Sequence, residues 1–223
     1  MPRNPRIFFN KKEYLSACSR YDAEWSLLDE TLYRLCRENP DNSSRPSVFA
    51  KVFIIGRSYE TEIERQVKTR GTQGSSISQV AEYLLRHGNQ LDKWIGSLSG
   101  DIESADLRAI VDVHGRILNL LEPVTQKLKS PHSFVSQYLH FHNPAVPIYN
   151  SYAELSLKSL VPWDDALNVF KAPGAIDRDY DRYVKRFLRL CSIVQQKELI
   201  VSVKRLDHYL VRMADENALP LSP

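Results

Sequence analysis

Apolar residues recur every three or four positions through most of this chain, and the alternation with a period of two that is typical of strands is almost absent. The clearest amphipathic segment precedes Pro40 and carries on one face Trp25, Leu28, Leu32 and Leu35. The nearly apolar segment 48–56 that follows is typical of a buried helix. About ten such segments are joined by short connections. The pattern therefore predicts an all-α protein with about ten helices.

Length and composition favour a folded globular protein. The chain has 223 residues, of which 43% are hydrophobic and 26% are charged, and this is far from the composition of disordered chains. A chain of this length can bury one large core or two smaller ones. We expect one domain over residues 1–223, built either as a single compact unit or as two helical lobes, 1–100 and 101–223, with a cleft between them.

The cysteines and the hydropathy pattern indicate the cellular compartment in which the protein is expected. Three cysteines without a Cys-x-x-Cys spacing predict neither a disulfide framework nor a structural zinc site. No apolar run reaches the roughly 18–20 residues of a membrane span, and the N-terminus lacks the pattern of a signal peptide. We expect a cytoplasmic protein without a membrane partner.

The net charge of +3 is small, but the charges are unevenly distributed. Basic side chains are in excess in segments 45–71 and 178–212, and acidic side chains are in excess in segment 101–112. Such an asymmetry indicates a directional electrostatic surface.

The segment with the most distinctive chemistry is 128–157, where two predicted helices meet across the sequence HNPAVPIYN. Pro144 and Pro147 exclude a continuous helix and favour an extended crossing. Asn150 then precedes the next helix, and asparagine is one of the preferred residues at a helix N-cap. On local grounds alone, Asn150 is therefore either a structural cap or a functional side chain.

This arrangement resembles the helix-hairpin-helix (HhH-GPD-like) DNA glycosylases over residues 105–157. In that family a hairpin and a helix are followed by a short extended segment of the form V-P-[VI]-D, which presents an aspartate at the start of the next helix. Here the extended segment reads VPIYN and Asn150 occupies the aspartate position, while KSPHS replaces the usual glycine-rich hairpin. The resemblance implies a helical fold with a DNA-binding cleft and a base that is flipped into a pocket.

Two departures from the family pattern change the implied chemistry. The family's aspartate stabilises the oxocarbenium character of the sugar and orients water, and the neutral amide of Asn150 does neither. We expect this chain to be an inactive Asp-to-Asn form, either engineered or natural. Bifunctional members use a lysine at the start of the hairpin-side helix, where this chain has His132 and Ser133. The implied reaction is therefore monofunctional, with water as the nucleophile and an abasic site as the product.

The resemblance also implies the remaining site residues. The catalytic position is Asn150, and the predicted base pocket consists of Tyr149, Tyr152, His140, His142, Tyr59 and Glu62. The predicted DNA-binding residues are His132, Ser133, Ser136, Gln137, Lys51, Arg57, Arg65, Lys68 and Arg70. The two histidines can instead be structural groups in the core. They diverge by roughly 200° on a helix, so we expect no metal site, and we expect no cofactor.

The expected partner is double-stranded DNA that contains a damaged or modified base, bound by a monomer. By resemblance to defence-associated bacterial members, the candidate substrate is glucosylated hydroxymethylcytosine in phage DNA.

Two other functions fit parts of the sequence. Arg108 and His114 match the Arg-x(4–6)-His spacing of HEPN-type ribonuclease toxins, which act in a dimer cleft. A non-catalytic DNA-binding or abasic-site-sensing module is the third hypothesis, and in that case Asn150 would be the native functional residue.

Overall fold

A computed structural model of the chain describes residues 9–59, 61, 63, 76–98, 100, 106–125, 131–163 and 177–218. This part contains ten helices and no strand, which confirms the predicted all-α class. The helices are α1 Lys11–Glu24, α2 Ser26–Glu38, α3 Arg45–Ser58, α4 Ser76–Arg86, α5 Gly88–Ile95, α6 Leu107–Thr125, α7 His132–His142, α8 Ser151–Leu160, α9 Arg178–Gln195 and α10 Val203–Ala218. Within the described ranges, every helix is too short or too polar to cross a bilayer.

The amphipathic segment before Pro40 forms two helices, because α1 ends and α2 begins on either side of Trp25. The backbone N–H of Trp25 still donates to the carbonyl of Tyr21 at 2.9 Å, and its carbonyl accepts from the N–H of Asp29 at 3.1 Å. The two helices therefore meet without an intervening loop. This junction brings the side chains of Tyr21, Trp25 and Asp29 to one cavity.

Helix α7 is the central helix of the fold. All nine residues from Ser133 to Phe141 are buried, and α2, α3 and α6 pack against this helix. A helix that is buried on all sides needs partners for its polar side chains as well as for its apolar ones. Among its polar residues, Ser136, Tyr138 and His140 are fixed by specific side-chain hydrogen bonds.

One hydrophobic cluster includes residues from all ten helices. Helix α1 packs against α10, α2 against α7, and α4 against α6, so described helices on both sides of residue 100 contribute to this core. All three cysteines, Cys18, Cys36 and Cys191, are buried with free thiols.

Residues 143–150 between α7 and α8 are not helical, as the two prolines predict, and they form a turn followed by a segment that ends in the extended backbone of Asn150. Its backbone is held by side chains of neighbouring helices, since the hydroxyl of Tyr180 donates to the carbonyl of Pro147 at 2.6 Å and the N–H of Tyr149 donates to Oγ of Ser136 at 2.9 Å. These contacts satisfy backbone groups that have no partner in a helix or sheet. They also fix the position at which α8 begins.

Gly88 allows the start of α5 to approach the turn before α3 closely. A Cβ atom at this position would lie 2.3 Å from the carbonyl oxygen of Asn42. Asn42 is itself fixed, because its backbone N–H and its amide both donate to Oδ1 of Asp92, at 3.0 and 2.7 Å, and the hydroxyl of Tyr138 donates to its side-chain oxygen. The turn cannot move away without loss of these hydrogen bonds.

We expect Gly88→Ala to destabilise the protein by about 1–3 kcal/mol, the usual cost of overpacking a buried site. The matched control is Gly56→Ala, where the nearest atoms are the terminal methyl groups of Ile77 and Ile63 at 3.1 and 3.2 Å. Those side chains can shift, and alanine gains helix propensity. Urea unfolding of both variants measures the difference, and equal stabilities would contradict the steric argument.

Candidate functional site

A cavity of about 560 Å³ lies where the N-terminus of α8 faces α10, α2 and the end of α3. We call it the α8–α10 cavity. Five residues predicted for the site line it, namely Tyr59, Ser133, Gln137, Asn150 and Tyr152. These residues come from three separate parts of the sequence, so the fold assembles them. The volume lies within the range of ordinary small-molecule sites.

Asn150 is the N-cap of α8, as its local sequence predicts. Its backbone is extended, with φ −142° and ψ 136°, and Oδ1 accepts from the N–H of Tyr152 at 2.9 Å. The side chain therefore lies at the positive end of a helix dipole and at the wall of the cavity. With an aspartate at this position, one carboxylate oxygen could accept the same hydrogen bond from the N–H of Tyr152.

Aromatic rings form part of the cavity wall. Trp25, Tyr59 and Tyr152 line it, and the rings of Trp25 and Tyr59 are 6.2 Å apart. Tyr152 is 52% exposed, although large aromatic side chains usually lose most of their exposure in a folded protein. An exposed ring beside two half-buried ones is suited to stacking against a planar ligand.

A buried ion pair forms the floor of the cavity. Asp29 is 2% exposed, and its carboxylate accepts hydrogen bonds from the hydroxyl groups of Tyr21, at 2.5 Å, and Tyr59. The ammonium of Lys204, which is 6% exposed, lies 3.3 Å from Oδ1 of Asp29. The same ammonium lies 4.2 Å from the centre of the Tyr59 ring and 4.5 Å from that of Phe141. The charges of Asp29 and Lys204 thus neutralise each other.

Asp207 is a second carboxyl group in the same cavity, one turn after Lys204 on α10. Its Oδ1 atom is buried and has no hydrogen-bond partner within the described part of the chain. Burial raises the pKa of Asp207 to about 7, against the opposing effect of Lys204, and the charge of Asp29 raises the pKa further. Two carboxyl groups share one ammonium, so the floor carries an uncompensated negative charge whenever Asp207 is ionised.

Gln137 presents a second unsatisfied oxygen. The side chain projects from α7 into the lining of the cavity and is 3% exposed. Its Oε1 atom is buried without a hydrogen-bond partner among the residues that the structure describes. A buried polar atom without a partner costs about 1–3 kcal/mol, and this cost is recovered when a ligand supplies the missing group.

Two histidines predicted for the base pocket lie outside the lining of the α8–α10 cavity and have partners elsewhere. Nδ1–H of His140 donates to the carbonyl of Val146 at 2.8 Å, and its Nε2 accepts from the hydroxyl of Tyr33. Nδ1–H of His142 donates to the carbonyl of Tyr138 at 2.8 Å, and its Nε2 lies 3.2 Å from the ammonium of Lys51. Burial lowers the pKa of His140 to about 3 and that of His142 to about 4. Both are neutral structural groups, which was the alternative interpretation.

Two residues predicted to contact DNA are buried. Lys51 is 0% exposed, and its ammonium donates to the carbonyl of Asp41 at 3.2 Å, so no phosphate can reach it. Ser136 is buried, and its hydroxyl donates to the carbonyl of Ser133 at 3.1 Å while it accepts from Tyr149. Tyr149, predicted for the base pocket, packs instead against His132 and Tyr183, with ring centres 5.2 Å apart in each case.

His132 belongs to a cluster that joins the starts of α7 and α9 to α6. Its Nε2 lies 2.7 Å from Oδ2 of Asp177, and Nδ1 of His114 lies 3.1 Å from the same oxygen. The other carboxylate oxygen caps α9 by accepting from the N–H of Tyr180 at 2.9 Å. Although burial alone would raise it, the contacts with the two histidines lower the pKa of Asp177 below its ordinary range.

This cluster also bears on the ribonuclease interpretation. His114 is 0% exposed, because the ring stacks on Tyr180 with 3.7 Å between ring centres, whereas Arg108 lies on the surface. Burial lowers the pKa of His114. A general base must reach its substrate, so Arg108 and His114 do not form such a site in this conformation.

The remaining predicted residues divide into two groups. Arg57 is exposed at the end of α3, directly before Ser58 and Tyr59, which line the cavity, so it is available to a phosphate. Four others lie outside the described residues, namely Glu62, Arg65, Lys68 and Arg70.

Asp29, Lys204 and Asp207 are site residues that were not predicted from the sequence. A signal existed for Asp29, because it lies four residues after Trp25 and three before Leu32 and thus falls on the apolar face of α2. Lys204 and Asp207 carry no comparable signal, since charged residues at this spacing on a helix are usually solvated.

A larger cavity of about 880 Å³ lies on the other side of Phe141, which lines it together with Tyr33, Cys36 and Asp92. Its charged side chains have partners within the protein, as Asp92 does in Asn42. The α8–α10 cavity is the stronger candidate because polar atoms without partners lie in its wall.

Among the described side chains, His, Cys, Asp and Glu form no group of three or more that is suited to hold a metal ion. Comparisons with models of protein families, with curated proteins and with solved structures found no match to this chain.

Proposed function

We propose that this chain is a monofunctional DNA glycosylase in an inactive form, and that the α8–α10 cavity receives a base flipped out of double-stranded DNA. The observation that carries the proposal is the assembly of the cavity. Asn150 at the start of α8 shares it with the aromatic side chains of Tyr21, Trp25, Tyr59 and Tyr152 and with the amide of Gln137. Enzymes that act on a base recognise it by stacking and by hydrogen bonds to its edge, and this lining offers both.

The position of Asn150 suits the chemistry of glycosidic bond cleavage. A flipped base in the cavity would bring its sugar to the mouth, near the N-terminus of α8. Hydrolysis needs an anion there, because positive charge develops on the sugar as the bond breaks. The amide of Asn150 is neutral, so we expect the chain to bind DNA without rapid hydrolysis. His132 and Ser133 offer no amine for a covalent intermediate, so the nucleophile would be water.

We propose a damaged or modified base as the substrate, with glucosylated hydroxymethylcytosine of phage DNA as the specific candidate, and a cytoplasmic monomer in anti-phage defence as the setting. A non-catalytic DNA-binding or abasic-site-sensing module is the second candidate. Its support is the satisfied geometry of Asn150, which caps α8 with a good hydrogen bond and needs no other role.

The binding part of the proposal is tested with two short duplexes that differ in one place. In the first, a central nucleotide lies opposite an abasic site, so it flips without breaking a base pair, and in the second it is fully paired. We expect at least about tenfold tighter binding to the first duplex, because unpairing costs a few kcal/mol. Fluorescence anisotropy measures both, and affinity for each should fall steeply with added salt as phosphate contacts release counterions.

Tyr152→Ala should remove most of the preference for the unpaired nucleotide, because a stacking ring is worth about 1–3 kcal/mol per base. The matched control is Leu155→Ala, which truncates an exposed side chain on the same helix outside the cavity. Equal affinity of the wild-type chain for the two duplexes, or an affinity that does not respond to salt, would contradict the proposal.

A further inference from the structure

We propose that the α8–α10 cavity selects a base that carries an exocyclic amino group over a base with an oxo group at the same position, and that Asp207 and Gln137 are the acceptors of the amino hydrogens. This inference rests on the proposed function and adds the class of base to it.

The two unsatisfied oxygens carry the argument. Oδ1 of Asp207 and Oε1 of Gln137 are both buried, both belong to residues that line the cavity, and neither accepts a hydrogen bond from any described group. Each oxygen remains an acceptor whether or not the Asp207 carboxyl is protonated. The wall therefore offers two places for hydrogen-bond donors.

Lys204, one turn before Asp207 on α10, does not fill that need. Lys204 lies against Asp29 and over the rings of Tyr59 and Phe141, so its ammonium is committed to other partners. The neighbouring carboxylate of Asp29 accepts from two tyrosines and Lys204. The residual charge and the missing hydrogen bonds thus both remain at Asp207.

A primary amino group suits this wall. It carries two N–H donors, and a donor beside an ionised carboxyl group also offsets the negative charge. An oxo group at the same position offers no hydrogen, so an ionised Asp207 carboxylate stays without a donor and faces the lone pairs of the oxo group. Sites that are built to hydrogen-bond a donor reject analogues that lack it, because their own buried groups remain unpaired.

The aromatic wall sets the shape of the ligand but not this preference. Trp25, Tyr59 and Tyr152 stack on any planar base, since every base presents a π-face. Selection between amino and oxo bases therefore falls to Asp207 and Gln137. The same acceptors suit cytosine and its 5-substituted derivatives as well as adenine.

The test uses four duplexes that are identical except for the central nucleotide opposite an abasic site. Two matched pairs compare dC with dU and adenine with hypoxanthine, each pair differing by the exchange of an amino group for an oxo group. At a pH above 7, where the Asp207 carboxyl is ionised, we expect the wild-type chain to bind the amino member at least about tenfold more tightly, because hydrogen bonds to a charged acceptor are stronger than those between neutral groups. Phosphate contacts are the same in all four duplexes and cancel in the ratio.

Asp207→Asn should remove this ratio, since its amide can turn a donor toward an oxo group. Gln137→Leu should reduce the ratio independently. The charge control is Asp215→Asn, which neutralises an exposed carboxylate two turns further along α10 and should change the overall affinity but keep the ratio.

The outcomes separate this inference from the proposed function. Equal binding of amino and oxo bases, with all four duplexes still bound more tightly than paired DNA, overturns the inference alone. An unchanged ratio in Asp207→Asn and in Gln137→Leu overturns the assignment of the acceptors. Equal binding of unpaired and paired duplexes overturns the inference together with the proposed function.

Discussion

Asn150→Asp should convert the chain into one that releases a base from DNA, with a rate at least about 100-fold above that of the wild-type chain. The substitution exchanges an amide for a carboxylate of the same shape. One carboxylate oxygen can keep the hydrogen bond from the N–H of Tyr152, which leaves the other free at the wall of the cavity. This oxygen would lie where positive charge develops on the sugar, and it can also accept a proton from the attacking water.

The substitution should leave the fold intact, because aspartate is as good an N-cap as asparagine and its charge is favourable at a helix N-terminus. The matched control is Asn150→Ser, which also caps a helix but carries no carboxylate, so it should release no base. Alkali-labile sites are measured in duplexes with ordinary, damaged and modified bases, including glucosylated phage DNA. If Asn150→Asp folds and releases no base from any of them, the result contradicts the glycosylase proposal and favours the non-catalytic DNA-binding module.

Asp207→Asn should stabilise the protein by about 2–4 kcal/mol at neutral pH, although most substitutions of buried residues destabilise. The reason is that two carboxyl groups, those of Asp29 and Asp207, lie at the floor of the cavity with only the ammonium of Lys204 to offset their charge. Burial and the charge of Asp29 raise the pKa of Asp207 to about 7, so the ionised form is disfavoured in the folded state. The variant removes this charge and leaves Lys204 and Asp29 as a one-to-one pair.

The pH dependence of this effect follows from the two pKa values of Asp207. The unfolded chain releases the proton near pH 4, and the folded chain holds it until about pH 7. The wild type therefore loses stability as the pH rises from 4 to 7, and the advantage of Asp207→Asn grows over the same range and is constant above it. Near pH 4 the two proteins should be equally stable.

Urea unfolding at several pH values checks this expectation. Asp215→Asn should change stability by less than about 0.5 kcal/mol, because that carboxylate is exposed. Asp29→Asn should act in the opposite direction and cost about 3 kcal/mol, since it leaves the ammonium of Lys204 buried without its carboxylate. A destabilised Asp207→Asn would contradict the argument from charge. A stabilising loss of a charged side chain is typical of functional sites, where stability is given up for activity.

The fold class could be predicted from the sequence because a period of 3.6 in apolar residues is a local property. The same holds for Asn150 at the start of α8, where two prolines and a capping residue mark the boundary. The break at Trp25 could not be predicted, since the backbone there keeps helical hydrogen bonds and contains neither proline nor glycine.

The site was only partly predictable, because its residues are brought together by packing. Tyr59, Gln137 and Tyr152 were correctly grouped with Asn150, by resemblance to a family pattern. The placement of His140 and Lys51 has a common cause, since each side chain has one backbone carbonyl nearby in sequence and one side chain distant in sequence as its partners. A sequence shows which side chains can form hydrogen bonds, but not whether a carbonyl has already taken them.

The long interval in sequence between Asp29 and Lys204 has a consequence for synthesis. Asp29 leaves the ribosome early, whereas its ammonium partner belongs to α10, the last described helix. Until α10 emerges, Asp29 must stay hydrated, and α1 lacks the helix against which it packs. The nascent chain therefore cannot complete its core in the order of synthesis, and the cavity forms only with the final helix. Ribosome-bound chains that stop before α10 should remain sensitive to protease along α1 and α2.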